Sequence, residues 1–161
     1  MRKISALVAH LRDATGLPME NFHAYADKGD VTPSGKHLGT VLPEDDGPAR
    51  EQVEIGVWKY DAVIQIERYP GDGPALLAIV LAWLADVDPD RDGLADPEVD
   101  AEINDLDTAD IEIAVEFEER IVIIEDPAGG IHFRGRPWSI VLTPDIAEAR
   151  SIALGGGHAA D

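Results

Sequence analysis

Cysteine is absent from all 161 residues. That removes disulfide staples, thiolate zinc sites and cysteine nucleophiles together. Bases are scarce: 13 Lys and Arg stand against 32 Asp and Glu, a formal net charge of −19. Almost half of the acids lie between Asp86 and Glu119, where Arg91 is the sole base. A surface so short of cations has little to exchange for phosphate counter-ions, so stable nucleic-acid binding is not expected. Long apolar runs are missing too. The longest, Ala75 to Ala85, is about half of the ~20 residues that cross a bilayer, and no membrane partner is expected. Met1-Arg2-Lys3 leads straight into an amphipathic pattern, without the apolar stretch and cleavage site of a signal peptide. A cytoplasmic chain is the expectation, and the lack of cysteine fits a reducing compartment.

What is present suits one globular domain with a real core: 45% of the residues are hydrophobic. Ile4, Leu7, Val8 and Leu11 form a helical stripe, and Gly16 with Pro18 stops it. Asn21 to Ala26 reads as a short strand. Residues 31–52 hold three prolines, three glycines and four acids with no sustained period, so a long loop is predicted there. A strand or hairpin arm follows from Glu54 to Tyr69, with Ala62, Ile64 and Ile66 on one face. Asp72 and Pro74 then open a helix that is apolar nearly all round from Leu76 to Val87, the mark of a central, buried helix. Strands are predicted at Val99–Ile103, Ile111–Phe117, Arg120–Glu125 and Ile131–Arg134. Thr143-Pro144-Asp145 resembles a helix start and Gly155-Gly156-Gly157 a frayed end. The fold class is α+β, a single domain with two main helices on an antiparallel or mixed sheet. Its expected bounds are residues 1–138, with an extension over 139–161 carrying a short helix.

The most informative stretch is Glu102 to Ile124. Ile111, Ile113, Val115 and Phe117 alternate with Glu112, Ala114, Glu116 and Glu118, as in a strand with one wet face. Asn104 to Asp110 carries turn or bulge residues just upstream. Together with Leu81-Ala82-Trp83-Leu84 and Glu119-Arg120-Ile121, these features resemble the tail completion protein R (GpR) family of contractile-tailed bacteriophages, over roughly residues 1–136. The resemblance implies a structural virion protein of the tail, assembled in the host cytoplasm, that caps the last ring of tail tube and sheath. It implies partners in a likeness to hexameric tail-terminator rings: copies of itself, tube and sheath proteins, and a neck or head-completion protein. Neither a cofactor nor an enzymatic step is implied. The loop of residues 31–52 is longer than expected for the family, and the extension after Trp138 has no counterpart in it.

On this reading the interface candidates are Trp58, Asp105, Asp107, Asp110, Glu119, Arg120 and Trp138. The two tryptophans enter because they sit at predicted strand ends beside polar segments, whereas Trp83, midway along an apolar helix, reads as core. Glu112, Glu116 and Glu118 could line the bore of a ring and repel passing DNA, or could simply guard a strand from aggregation.

Three patterns invite other chemistry. Asp88-Pro89-Asp90-Arg91-Asp92-Gly93 opens like a calcium loop, and a small acidic calcium- or ligand-binding module is the alternative function. Its twelfth position, which should be a bidentate Glu, is Val99, and Pro97 sits where the exiting helix should wind. Gly29 to His37 loosely resembles a phosphate loop, but five residues separate the glycines and His37 follows the lysine. His10, His23, His37, His132 and His158 show no metal-binding spacing, and no serine elbow accompanies them.

Overall fold

A computed structural model describes residues 2–142. Two helices and an antiparallel sheet make an α+β fold. The order is α1 (Arg2–Thr15), a short 3₁₀ turn (Met19–Asn21), β1 (Phe22–Val41), β2 (Arg50–Tyr69), α2 (Gly73–Val87), β3 (Glu98–Ile103), β4 (Ala109–Glu125), β5 (Ile131–Phe133) and β6 (Arg136–Ile140). The strands run β1-β2-β4-β6-β5 across the sheet, and β3 pairs separately with β4. Among the described residues no helix is long and apolar enough to cross a membrane.

The chain divides into two compact units. The first takes the chain up to Asp30 together with Lys59–Glu119, and the second Val31–Trp58 together with the described chain from Arg120. In the first unit, Ile4, Leu7, Val8 and Leu11 are all buried along α1, as their spacing dictates. Gly16, at φ +70°, ends the helix by returning its N–H to the Arg12 carbonyl. Helix α2 buries Leu76, Val80, Trp83 and Leu84. Trp83 stands edge-on to Phe117 of β4, their ring centres 6.1 Å apart, and Tyr60 of β2 meets the same ring. Trp83 is therefore core, as expected. The full burial of α2 is not found: Leu81 is 56% exposed on its outer side.

The second unit is built around Val53, Ile123 and Trp138, with Ile55, Ile131 and Phe133 packed on them. Trp138, read as a contact residue, is completely buried. Its indole N–H donates to the Phe133 carbonyl, which removes the last reason for the ring to face water.

Three expectations about elements need correction. The long loop of residues 31–52 is mostly strand: β1 continues to Val41 and β2 begins at Arg50. Strand β1 is the outermost strand of the sheet, so Pro33 can sit in it without breaking a ladder that needs its missing N–H. Second, the two strands expected at Ile111–Phe117 and Arg120–Glu125 form one, β4. The inward series Ile111, Ile113, Val115, Phe117 continues to Glu119, and the phase then slips so that Val122 and Ile123 are both buried. A glutamate at an inward position looks like a strand end in sequence. Third, residues 136–140 are strand β6, paired with β4 so that Ile140 faces Ile123 and Trp138 faces Glu125. The expected boundary at residue 138 falls inside this strand. A two-residue turn at Arg134 and Gly135, both at positive φ, makes the β5–β6 hairpin. Arg-Gly is not the usual signature of such a turn, which hid it. The Gly29–His37 segment, already set aside as a phosphate loop, lies within β1. The helix start at Thr143-Pro144-Asp145, and the glycines and His158 beyond it, lie outside the described residues.

Gly129 is required for a close approach. A Cβ there would stand 2.1 Å from the Trp138 carbonyl oxygen, far inside contact distance.

Candidate functional site

In the first unit, strands β2, β4 and β3 lie side by side, and the alternation of β4 separates two kinds of surface. One side carries Ile111, Ile113, Val115 and Phe117, all buried. The other gathers acids. Asp100 faces Glu112 and Glu102 faces Asp110 across the β3–β4 ladder. With Gln65 and Glu67 of β2 they line a shallow polar depression of about 290 Å³. Like charges set opposite each other on a sheet are destabilising, so this face is a cost that the fold carries. Part of the charge is tied down. Gln65 donates to Glu112 at 2.8 Å. Arg68, at φ 53°, aims its backbone N–H at Asp110, which holds that carboxyl below its ordinary range, and Asn104 adds a second bond. Glu116 is likewise lowered, first by the Ala95 N–H and then by Lys59, 3.3 Å away. Glu118 stays exposed.

The inward Glu119 is the most specialised group. It is 4% exposed and accepts from the Tyr60 hydroxyl at 2.6 Å, the Lys3 N–H at 2.8 Å and the Arg2 N–H at 3.2 Å. The last two are N–H groups of the first turn of α1, which a helix cannot satisfy by itself. Glu119 thus caps α1 from a strand more than a hundred residues away. Burial pushes its pKa upward, but the Tyr60 hydroxyl and these N–H groups outweigh burial and bring it to about 2. Tyr60 moves the opposite way: burial, then the carboxylate beside it, hold its hydroxyl far above the usual range.

Lys3 also reaches Asp88, Nζ to Oδ1 at 2.7 Å, while Arg91 Nη1 lies 2.9 Å from Asp88 Oδ2. Both oxygens of the leading acid of the calcium-like loop are therefore held by cations of the chain. Arg91 continues to the Glu116 carbonyl and lies 5.9 Å from the centre of the Phe117 ring. Strand β3, not a helix, follows the loop. Among the described residues, no group of three or more His, Asp or Glu is placed to hold a metal ion.

In the second unit, Arg120 pairs with Glu54, which Ser34 also contacts at 2.9 Å. Burial raises the Glu54 pKa, but Arg120 and Ser34 outweigh it and leave it lowered. Arg136 bridges Glu51 at 2.7 Å and Glu125 at 3.1 Å. Trp58 lies half-buried inside β2 rather than at a strand end.

The sequence model of P2 phage tail completion protein R (GpR) matches residues 1–140. The chain belongs to this family. Neither the curated proteins nor the solved structures that were compared contain a match. Membership makes the chain a structural tail-completion protein of the virion tail, associated with other tail components. The matched span ends where β6 ends, at residue 140.

Against that frame of contacts, the residues picked from sequence fall into three groups. Asp105, Asp107, Asp110, Glu112, Glu116 and Glu118 all belong to the first unit and lie on or beside the β3–β4 pair. Glu119 and Trp138 are buried and act through the fold, the first as a cap and the second as core. Trp58 and Arg120 belong to the second unit. Sequence reasoning missed Tyr60, Lys3 and Glu54. Arg91 carried a usable signal, because a lone base in an acidic stretch must find carboxylates nearby.

Proposed function

We propose that this GpR-family chain closes the end of the tail as a ring of six copies, capping tail tube and sheath and presenting a surface to the neck. The match over residues 1–140 carries this reading. The acidic face of β2, β3 and β4 supports it. A carboxylate-lined surface with few cations lets DNA pass without phosphate contacts that would hold it. Glu112 and Glu118, with the Asp100 and Glu102 of β3, then line the bore, and no chemical step is required of any of them. Copies that touch head to tail through two different surfaces close into a ring when the rotation between them divides a full turn.

The test is a host in which the gene is deleted and then restored. Without the protein, tails should accumulate that are unjoined to heads and irregular in length, and restoration should return joined particles of uniform length. Labelled protein should appear at the head-proximal end of the tail, and native mass spectrometry of the released complex should give six copies. Normal particles from the deleted strain would refute the reading.

A further inference from the structure

The turn between β3 and β4 ends in an oddity. Leu106 is fully exposed, at 104%, and Ile103 just before it is 80% exposed. Exposed loop tips are normally polar, and this one is also rigid. Asn104 N and Asp105 N both donate to the Thr108 carbonyl. Asp105 Oδ1 accepts from Asp107 N at 2.8 Å, Thr108 N at 2.7 Å and Thr108 Oγ1 at 3.1 Å. A single carboxylate thus locks the turn with Leu106 at its apex, and docking such a tip costs little ordering entropy. Asp105 and Asp107 flank the leucine, so the tip is an apolar knob with an acidic collar.

The same unit owns a surface of the opposite character. Between α1 and the start of β1 lies an open groove of about 480 Å³, floored by Ile4, Val8 and Phe22 and walled by Met19 and Tyr25. Met19 and Tyr25 are 54% and 44% exposed. Arg12 supplies its charge, and His23 lies beside it. His23 leans on Glu67, 3.3 Å away, whereas Arg12 is exposed and forms no ion pair among the described residues.

We propose that the Leu106 turn of one copy seats in the α1–β1 groove of the next, with Leu106 and Ile103 on the apolar floor and the Asp105–Asp107 collar facing Arg12. The occupant is a second copy because knob and groove match in both polarity and charge. Turn-to-turn pairing would set the same aspartates against each other, and complementary potentials across an interface forbid that. Two different patches on one unit make the contact heterologous, the class that closes into rings. The proposal rests on the ring reading above and names the surfaces that build it.

The full-length protein is tested by sedimentation and native mass spectrometry with Leu106→Lys, which spoils the knob, and Ala9→Glu, which blocks the groove. Both positions are exposed, so melting temperatures should match the parent. Each variant alone should associate at least about tenfold more weakly, from the loss of a buried leucine or the intrusion of a charge. Mixed together, they should form a dimer, because each retains the surface that the other lacks. Since the chain has no cysteine, Ala9→Cys mixed with Leu106→Cys should give a disulfide-linked pair that neither gives alone. Assembly of either variant like the parent, or no dimer on mixing, overturns the proposal. So does a parent protein that stays monomeric at every concentration. Presence of the parent in finished tails is scored separately, so the ring contact can fail while tail completion stands.

Discussion

Replacing Glu119 by alanine should be among the most damaging single changes in the first unit, although the residue is a charged one. The substitution removes the acceptor of a 2.6 Å bond from Tyr60 and of two bonds from the first turn of α1. Tyr60 is 1% exposed, so its O–H proton would lose its acceptor with no water to replace it, at a cost of about 1–3 kcal/mol. Loss of the cap adds roughly 1 kcal/mol. A total near 3 kcal/mol is expected from urea unfolding of the alanine variant. Proton linkage expresses the same contacts as a pH dependence. A carboxyl whose pKa falls from 4.5 to about 2 on folding contributes about 3 kcal/mol. The folded pKa is the lower one, so this stability is fully present above about pH 5 and is lost as the pH falls toward 2. Glu119→Gln should flatten that part of the pH–stability curve. Tyr60→Phe should cost less alone, and a double-mutant cycle with Glu119→Ala should show coupling of about 1 kcal/mol or more. An alanine variant within about 0.5 kcal/mol of the parent, or an unchanged acid limb in the glutamine variant, would refute the capping argument.

Three further outcomes follow from the contacts. Gly129→Ala should lower the melting temperature sharply, since the new methyl must displace the backbone of Trp138, and an unchanged melt would deny that close approach. Truncation after Leu142 keeps all of β6 and its pairing with β4, and should melt above truncation after Trp138. Truncation after Trp138 should cost roughly 2 kcal/mol or more through the lost β6 pairing and the Ser139–Asp126 bond; equal melts for the two truncations would be contrary to this. Calorimetry in chelated buffer should show no saturable calcium binding tighter than about 10 μM, because Lys3 and Arg91 already hold Asp88; a tighter site would restore the binding-module reading.

Local periodicity was enough to place α1, α2 and the wet and dry faces of β4, because helix and strand repeats are written in neighbouring residues. The stripe Ile4, Leu7, Val8, Leu11 and the row Ile111 to Phe117 are buried as their spacing requires. The ordered features around Leu81–Leu84 and Asn104–Ile121 also pointed to the family that the match over 1–140 assigns. Tertiary structure decided the rest. Whether residues 31–41 could be strand depended on β1 lying at the sheet's edge, where Pro33 breaks no ladder. Whether Glu119 could point inward depended on Tyr60 and the first turn of α1, partners 59 and 116–117 positions away. Trp138 became core because Val53 and Ile123 meet it from two other strands. A buried charge, an edge proline and a core tryptophan beside a glycine turn look the same in sequence as exposed ones, because each is decided by partners that sequence neighbours do not supply.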